Sequence, residues 1–365
     1  MRTTLPSELM WEYIHSRTTF DADTGEQLEC IADVKTCTLD DLHMVLDKPR
    51  RLRITYTGVS PAMDAETPTE GEITSLRGVI AGISWCSREG RPDAAAAASI
   101  YASAFPDVTY RDIRRVNKEV KRIKSVPVSF IIKPIPLAER VTVLISDSAF
   151  DTSGKDRSQC GWIIGCAHKS VNKNVPAEFS VVGWRSKKLG RKAASSMLCE
   201  TLTLSRGTGE LLWLHSFLLS IAWSDYDMRI KRRRDAVSHA ESMVLRCDKA
   251  SEMDPDALAV MDAKSLFDSL NSEQTLSEDR RAALEVAVIR DDMAILHGKS
   301  RWIPHNFNPA DCLTKAEGAH SEPLFQLLKT GTLCLADEAS VLELHSSIKA
   351  ENSGYLPRHK LKAFG

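Results

Sequence analysis

The stretch VTVLISDS, Val141 to Ser148, decides how this chain is read. Its first five residues, Val141-Thr142-Val143-Leu144-Ile145, are β-branched or aliphatic, and two positions later comes a lone carboxylate, Asp147. A run that short and that rich in side chains suited to a pleated surface predicts a strand rather than a helix. Side chains alternate along a strand, so Asp147 at its end is aimed at one chosen face.

Working outward, Cys160 to Cys166 and Phe179 to Trp184 read as two further strands, separated by Gly, Asp, Asn and Pro punctuation. A long helix is predicted over about Ala193 to Trp223, and Ala257 to Met261 reads as a fourth strand. A short helix from Ala263 to Leu270, a longer one from about Glu278 to His297, a fifth strand from Ser300 to Ile303 and a closing helix follow. The fold class is α/β, with a mixed five-stranded sheet and flanking helices.

Upstream, an opening helix around Leu9 to Ser16 and a strand at Leu52 to Tyr56 are expected. From Glu72 to Lys124 the pattern is helical: Ile73, Leu76, Val79 and Ile80 share a face, then comes Ala94 to Ala104, then Ile113, Val116, Val120 and Ile123. Arg91-Pro92 and Pro106-Asp107 break this region into three helices. The Pro-bearing segment Val126 to Leu137 marks a boundary between a smaller, mainly helical α+β region at 1–130 and a second domain at 138–330. Residues 331–365 read as a polar appendage.

A chain of 365 residues with 43% hydrophobic and 27% charged positions has room for two cores and is neither fibrous nor wholly disordered. The net charge of -1 conceals Lys/Arg clusters at Arg111 to Lys124, Arg185 to Lys192 and Lys231 to Arg234, each either a solvated face or a phosphate-facing patch. Nine cysteines are scattered without a C-x-x-C pair, which excludes a zinc-finger spacing and predicts reduced thiols inside a cell. No apolar run reaches the roughly 18 residues that span a bilayer, and MRTTLPSELMWEY lacks a secretory core; a cytosolic or nuclear protein without membrane association is expected.

Four acids stand in suggestive places. Asp147 and Asp262 each follow an apolar strand, Glu200 lies among Leu198, Leu202 and Leu204 in the long helix, and Asp311 follows Asn308-Pro309-Ala310 at the expected start of the last helix. Singly, each reads as a turn, cap or helix-dipole residue. Together, carboxylates converging from strand ends and helices repel unless cations neutralise them, and such a set can hold two Mg²⁺ ions for phosphodiester hydrolysis.

The strings around these acids carry a resemblance. Trp184-Arg185-Ser186-Lys187-Lys188, then Ala193-Ala194-Ser195-Ser196 and Glu200, resemble the W-x-S-K-K…ALSS-x-x-x-E signature of copia-type retrotransposon ribonuclease H domains. Ile145-Ser146-Asp147-Ser148, Met261-Asp262-Ala263-Lys264-Ser265-Leu266 and Asn308-Pro309-Ala310-Asp311-Cys312-Leu313-Thr314-Lys315 resemble that family's other elements, in its order. Arg77 to Trp85 with Arg91-Pro92-Asp93 looks like the region that follows the polymerase active site in the same polyproteins.

The resemblance implies an RNase H-like fold at 138–330, the C-terminal remnant of a reverse transcriptase at 1–130, and catalytic metal-ligand roles for Asp147, Glu200, Asp262 and Asp311. It implies two Mg²⁺ ions, with Mn²⁺ a substitute, an RNA/DNA hybrid as substrate, and the remainder of a reverse transcriptase or an integrase as partner. Arg185, Lys187, Lys188, Arg191 and Lys192, just before the glutamate helix, are candidates for phosphate contacts or else a solvated loop. His305, six positions before Asp311, is either an assistant to product release or an ordinary loop histidine. Leu198 stands where an acid often precedes the glutamate, and 226–252 match no element of the family. Asp40-Asp41 and Asp291-Asp292 lack the aromatic residue of a polymerase hairpin, so polymerisation by this chain is not expected. The alternative is an inactive or domesticated fragment that binds nucleic acid or protein without cleaving.

Overall fold

In the computed structural model of the chain, residues 64–136, 139–151, 158–222, 256–272, 279–316 and 318–335 are described. The expected elements at Leu9 to Ser16 and Leu52 to Tyr56, the segment 226–252 and the last 30 residues lie outside them.

Among the described residues, three α-helices come first: α1 (Glu70–Glu89), α2 (Ala95–Ala102) and α3 (Tyr110–Ser125). Capping boxes start α1 and α3, in which Thr69 pairs with Glu72 and Thr109 with Asp112, so the first backbone N–H groups find oxygen partners. Of the predicted apolar faces, Leu76, Val79, Ile80, Ile113, Val116, Val120 and Ile123 close a shared core around Tyr101, Ile83 joins them, and Ile73 stays half-buried outside it.

Then come the strands β1 (Arg140–Ala149), β2 (Gln159–His168) and β3 (Ala177–Lys188), the long helix α4 (Ser196–Ala222), β4 (Ala257–Met261), α5 (Lys264–Asn271), α6 (Arg280–Ile295), β5 (Gly298–Trp302), α7 (Glu322–Thr330) and β6 (Thr332–Leu333). The sheet order is β5-β4-β1-β2-β3-β6. β1, β2 and β3 form an antiparallel meander, whereas β4 and β5 run parallel to β1. This is the mixed α/β arrangement expected, consistent with an RNase H-like fold, with a sixth strand in place of a five-stranded edge. β6 pairs Leu333 with Ala177 and Thr332 with Glu178. Leu333 and Leu335 are buried, so the folded chain runs past the expected limit at 330.

Helices cover both faces of the sheet. On one face α4, α5 and α6 pack on Leu144, Trp162, Ala259 and Met261. The helix α4 comes so close that a Cβ on its Gly207 would lie 2.8 Å from a Leu144 methyl, which is why the smallest residue stands there. On the other face α7 and a 3₁₀ turn, Asp311–Leu313, pack on Val143, Ile145, Ile163 and Val260, joined by Ala95 of α2. Trp184 of β3 also donates its indole N–H to the Ser87 carbonyl of α1 at 2.7 Å. No helix among the described residues is long and apolar enough to cross a membrane.

Candidate active site

β1 continues past Ile145 and carries Asp147 two residues beyond it, and Asp262 lies two residues beyond Val260, just after β4. Because Ile145 pairs with Val260 in parallel register, Asp147 and Asp262 stand next to each other on one face of the sheet. Asp147 is thus inside β1, not at the strand end that the apolar run suggested.

The third carboxylate comes from the 3₁₀ turn. Asp311 does not open the last helix, as expected from sequence; that helix begins eleven residues later, at Glu322. Asn308 pins the turn to β1 by donating from Nδ2 to the Ser146 carbonyl at 3.0 Å, and Ser186 of β3 donates from Oγ to the Leu313 carbonyl at 2.5 Å. Between these anchors Gly161 sits opposite Asp147, where a Cβ would lie 2.6 Å from Leu313 Cβ. The missing side chain at 161 therefore lets the turn lie flat on the sheet and bring Asp311 to Asp147.

Glu200 reaches the same end of the sheet from the first turns of α4. It is buried, with Ser148 against its carboxylate. Burial, and the charges of Asp147 and Asp262, push its carboxyl well above the usual range. Burial, with Asp262 and Asp311 adding to it, raises Asp147 to about 7, partly opposed by the Thr314 hydroxyl that donates to it and by Lys315. The four acids predicted from sequence are therefore brought together, and their mutual repulsion is written into two of their pKa values.

Three neighbours were not singled out in the sequence as site residues, although Thr314 and Lys315 stood in the quoted closing string. The Thr314 hydroxyl faces Asp147 and lies 2.9 Å from the Asp311 carbonyl oxygen. Lys315 places its ammonium on Asp311 Oδ1. His320 carries no local signal of a site role; its backbone takes a left-handed φ of 57°, and its Nδ1 lies 2.9 Å from Asp311 Oδ2. His305 is not an isolated loop residue: its Nδ1 lies 2.8 Å from Asp262 Oδ2.

The basic residues divide. Arg185, Lys187 and Lys188 belong to β3 rather than to a loop. Lys187 packs its ammonium 5.2 Å from the Trp162 ring centre, and burial together with Arg206 lowers its pKa. Arg185 and Lys188 are exposed, as is Lys192 beyond the strand. Arg191 is engaged with Glu285 of α6 at 2.8 Å.

Behind the turn lies a buried ionic network contributed by the helical region. Asp93 accepts from Arg91 Nε and a terminal nitrogen, both at 2.9 Å, and from Arg122 at 2.6 Å, while Arg122 also reaches Glu119 at 2.6 Å. Burial opposes ionisation of Asp93, yet the two guanidinium groups hold its carboxyl below the usual range. The Arg122 side chain also backs Gly318, in the segment that follows the turn.

Metal ions fit this donor set. One ligand atom from each of Asp147, Asp262 and His305 falls within 4.8 Å of the others, and Asp311 Oδ2 is buried without a hydrogen bond. A buried carboxylate oxygen faced only by two histidine nitrogens, amid carboxylates of raised pKa, is an electrostatic setting that a cation relieves.

No protein-family model matches the sequence, and no curated protein does. Among solved structures, the foamy viral protease-reverse transcriptase in complex with RNA/DNA hybrid is similar at 12% identity and a TM-score of 0.27, over 57% of this chain and 22% of that one. The native prototype foamy virus protease-reverse transcriptase is similar at 12% identity and a TM-score of 0.27, over 56% of this chain and 22% of the other. The chain thus spans about a fifth of the length of these two structures.

Proposed function

We propose that the chain is a metal-dependent nuclease of the ribonuclease H type, which hydrolyses the RNA strand of an RNA/DNA hybrid. The observation that carries this reading is the parallel register of β1 and β4, which aligns Asp147 with Asp262 beside Glu200 and the turn bearing Asp311.

Asp147, Glu200, Asp262 and Asp311 would hold two Mg²⁺ ions, for which Mn²⁺ can substitute. Such ions activate a water and neutralise the leaving oxygen of a phosphodiester. The protein's own part is to keep four carboxylates in place against their repulsion. It does so by anchoring the turn through Asn308 and Ser186 and by orienting Asp147 with the Thr314 hydroxyl. Arg185, Lys187 and Lys188 on β3 and Lys192 beyond it would bind backbone phosphates, and the 2′-hydroxyl would mark the strand to be cut. The products would be a 3′-hydroxyl and a 5′-phosphate. In a retroelement polyprotein, working with the remaining reverse transcriptase or an integrase, this activity would remove genomic RNA during DNA synthesis.

The test is cleavage of a labelled hybrid by the full chain with and without Mg²⁺. Cleavage is expected to need the metal and to be lost in Asp147→Asn and Glu200→Gln; cleavage that survives both substitutions sinks the assignment. Lys187→Ala is expected to weaken binding evenly across hybrid sequences and to flatten its salt dependence by about one phosphate contact. One observation favours a second reading, a protein that binds nucleic acid without cutting it: Lys315 already neutralises Asp311. Retention of hybrid without cleavage under any divalent metal would select that reading.

A further inference from the structure

His305, Asp311 and His320 offer one ligand atom each within 4.8 Å of one another, and they do so at the rim of the acid cluster rather than in its centre. Asp311 Oδ2, on a side chain 1% exposed, makes no hydrogen bond. His320 Nδ1 faces it from 2.9 Å and His305 Nε2 from 3.5 Å. A tetrahedral ion with ligands at about 2.1 Å sets neighbouring ligand atoms about 3.4 Å apart, close to the two spacings from Asp311 Oδ2, and the two imidazole nitrogens lie within 4.8 Å of each other.

Two features make the arrangement more than a chance meeting of side chains. His305 points its other ring nitrogen, Nδ1, at Asp262 Oδ2 from 2.8 Å, which is the carboxylate–histidine–metal relay that orients a ligating imidazole and fixes its tautomer. His320 adopts a left-handed φ of 57°, an uncommon backbone state for a residue with a side chain, and in it the ring turns back onto Asp311. Lys315 sits on the opposite oxygen, Oδ1, and its ammonium also lies 3.4 Å from His305 Nε2, so an ion bound to that nitrogen displaces the Lys315 ammonium from the ring while Oδ1 keeps it. Both imidazoles are about half exposed, so the site is open to solvent on one side.

We propose that His305 Nε2, Asp311 Oδ2 and His320 Nδ1 form a binding site for a divalent ion of the Zn²⁺ class. Two imidazoles and one carboxylate suit a borderline-soft ion, whereas Mg²⁺ prefers oxygen ligands and retained water. Three protein ligands leave a fourth position open, as in reactive rather than purely structural zinc sites. The inference shares Asp311 with the proposed nuclease site and rests on that site's geometry, not on cleavage. An ion held here would draw Asp311 toward the imidazoles and so compete with the four-acid set.

The experiment is calorimetric titration of the full chain with Zn²⁺ in excess Mg²⁺, with Co²⁺ absorption as a report of nitrogen ligation. One His320-dependent ion per chain is expected, retained in the Asp147→Asn, Glu200→Gln double variant and weakened at least tenfold in His320→Asn. Asparagine tolerates the left-handed backbone, so the variant removes the ring without straining the chain. His305→Gln, which keeps an N–H for Asp262, is expected to weaken binding similarly. Thermal melting reads the folding of each variant directly. Undiminished Zn²⁺ binding in His320→Asn, or none in the unsubstituted chain, overturns the proposal. A chain that cleaves hybrid with Mg²⁺ yet shows no such site overturns only this inference; one that binds Zn²⁺ through His320 yet never cleaves overturns only the nuclease reading.

Discussion

Trp184, on the strand that carries the basic residues, donates its indole N–H at 2.7 Å to the carbonyl of Ser87, which lies 97 positions earlier on α1. The bond ties the helical region to the sheet beside the 3₁₀ turn, and Phe130 packs against the same ring with centres 5.6 Å apart. Trp184→Phe keeps most of the packing and removes the bond; a loss of about 1 kcal/mol is expected in urea unfolding. An unchanged unfolding midpoint would mean that the contact contributes nothing to the folded chain.

Asp93 lies fully buried between Arg91 and Arg122. Asp93→Ala would leave the buried Arg91 guanidinium without its carboxylate and Arg122 with Glu119 alone, so a loss of about 3–5 kcal/mol is expected on denaturation. Because Arg122 backs the segment after the turn, hybrid cleavage should fall along with stability. Cleavage at full rate in a destabilised Asp93→Ala chain would separate the network from the site.

Gly161→Ala tests how the turn is seated. The added methyl would meet Leu313 Cβ at 2.6 Å and must lift the turn from the sheet. Overpacking of this kind costs about 1–3 kcal/mol, while displacement of Asp311 by about 1 Å is expected to lower cleavage about a hundredfold. A variant that loses stability and activity only in proportion to its unfolded fraction would contradict the positioning role.

Asp147→Asn should separate stability from activity. Its carboxyl is raised to about 7 by burial and by Asp262 and Asp311, so a neutral amide relieves repulsion in the metal-free chain. The variant is expected to melt no lower than the parent at pH 8 and to lose hybrid cleavage by more than a hundredfold. A large drop in melting temperature would show that the carboxylate has a structural role of its own.

The same shift fixes a pH dependence. A carboxyl whose folded pKa exceeds its unfolded value binds its proton more tightly in the folded chain, so it stabilises most at low pH and that stabilisation is lost as pH rises through about 7. Glu200, raised in the same direction, adds to the effect. This pair is expected to lower the metal-free melting temperature between about pH 4 and pH 7, and added Mg²⁺ to restore more of it at pH 8 than at pH 5. Mg²⁺ stabilisation that does not grow with pH would count against carboxylate ligation.

The amino-acid order alone determined the strand at Val141 to Ile145, the apolar faces of α1 and α3 and the element sequence up to β5, because strand and helix periodicities are local. It also marked Asp147, Glu200 and Asp262, since a carboxylate beside an apolar run stands out without any knowledge of distant contacts, and Asp311 by its place after Asn308-Pro309-Ala310. Tertiary structure decided the rest. That Asp147 and Asp262 are neighbours follows from a parallel register between strands over a hundred residues apart, which no window of sequence contains. Arg185, Lys187 and Lys188 extend β3 because Trp162, Cys160 and Gln159 of β2, in that order, supply their pairing partners. Thr332 and Leu333 become a strand only because the edge of β3 is open to them. His320 enters the site through a left-handed turn that brings it back to Asp311, nine positions earlier in the chain. Local pattern chose the side chains; long-range pairing chose which of them meet.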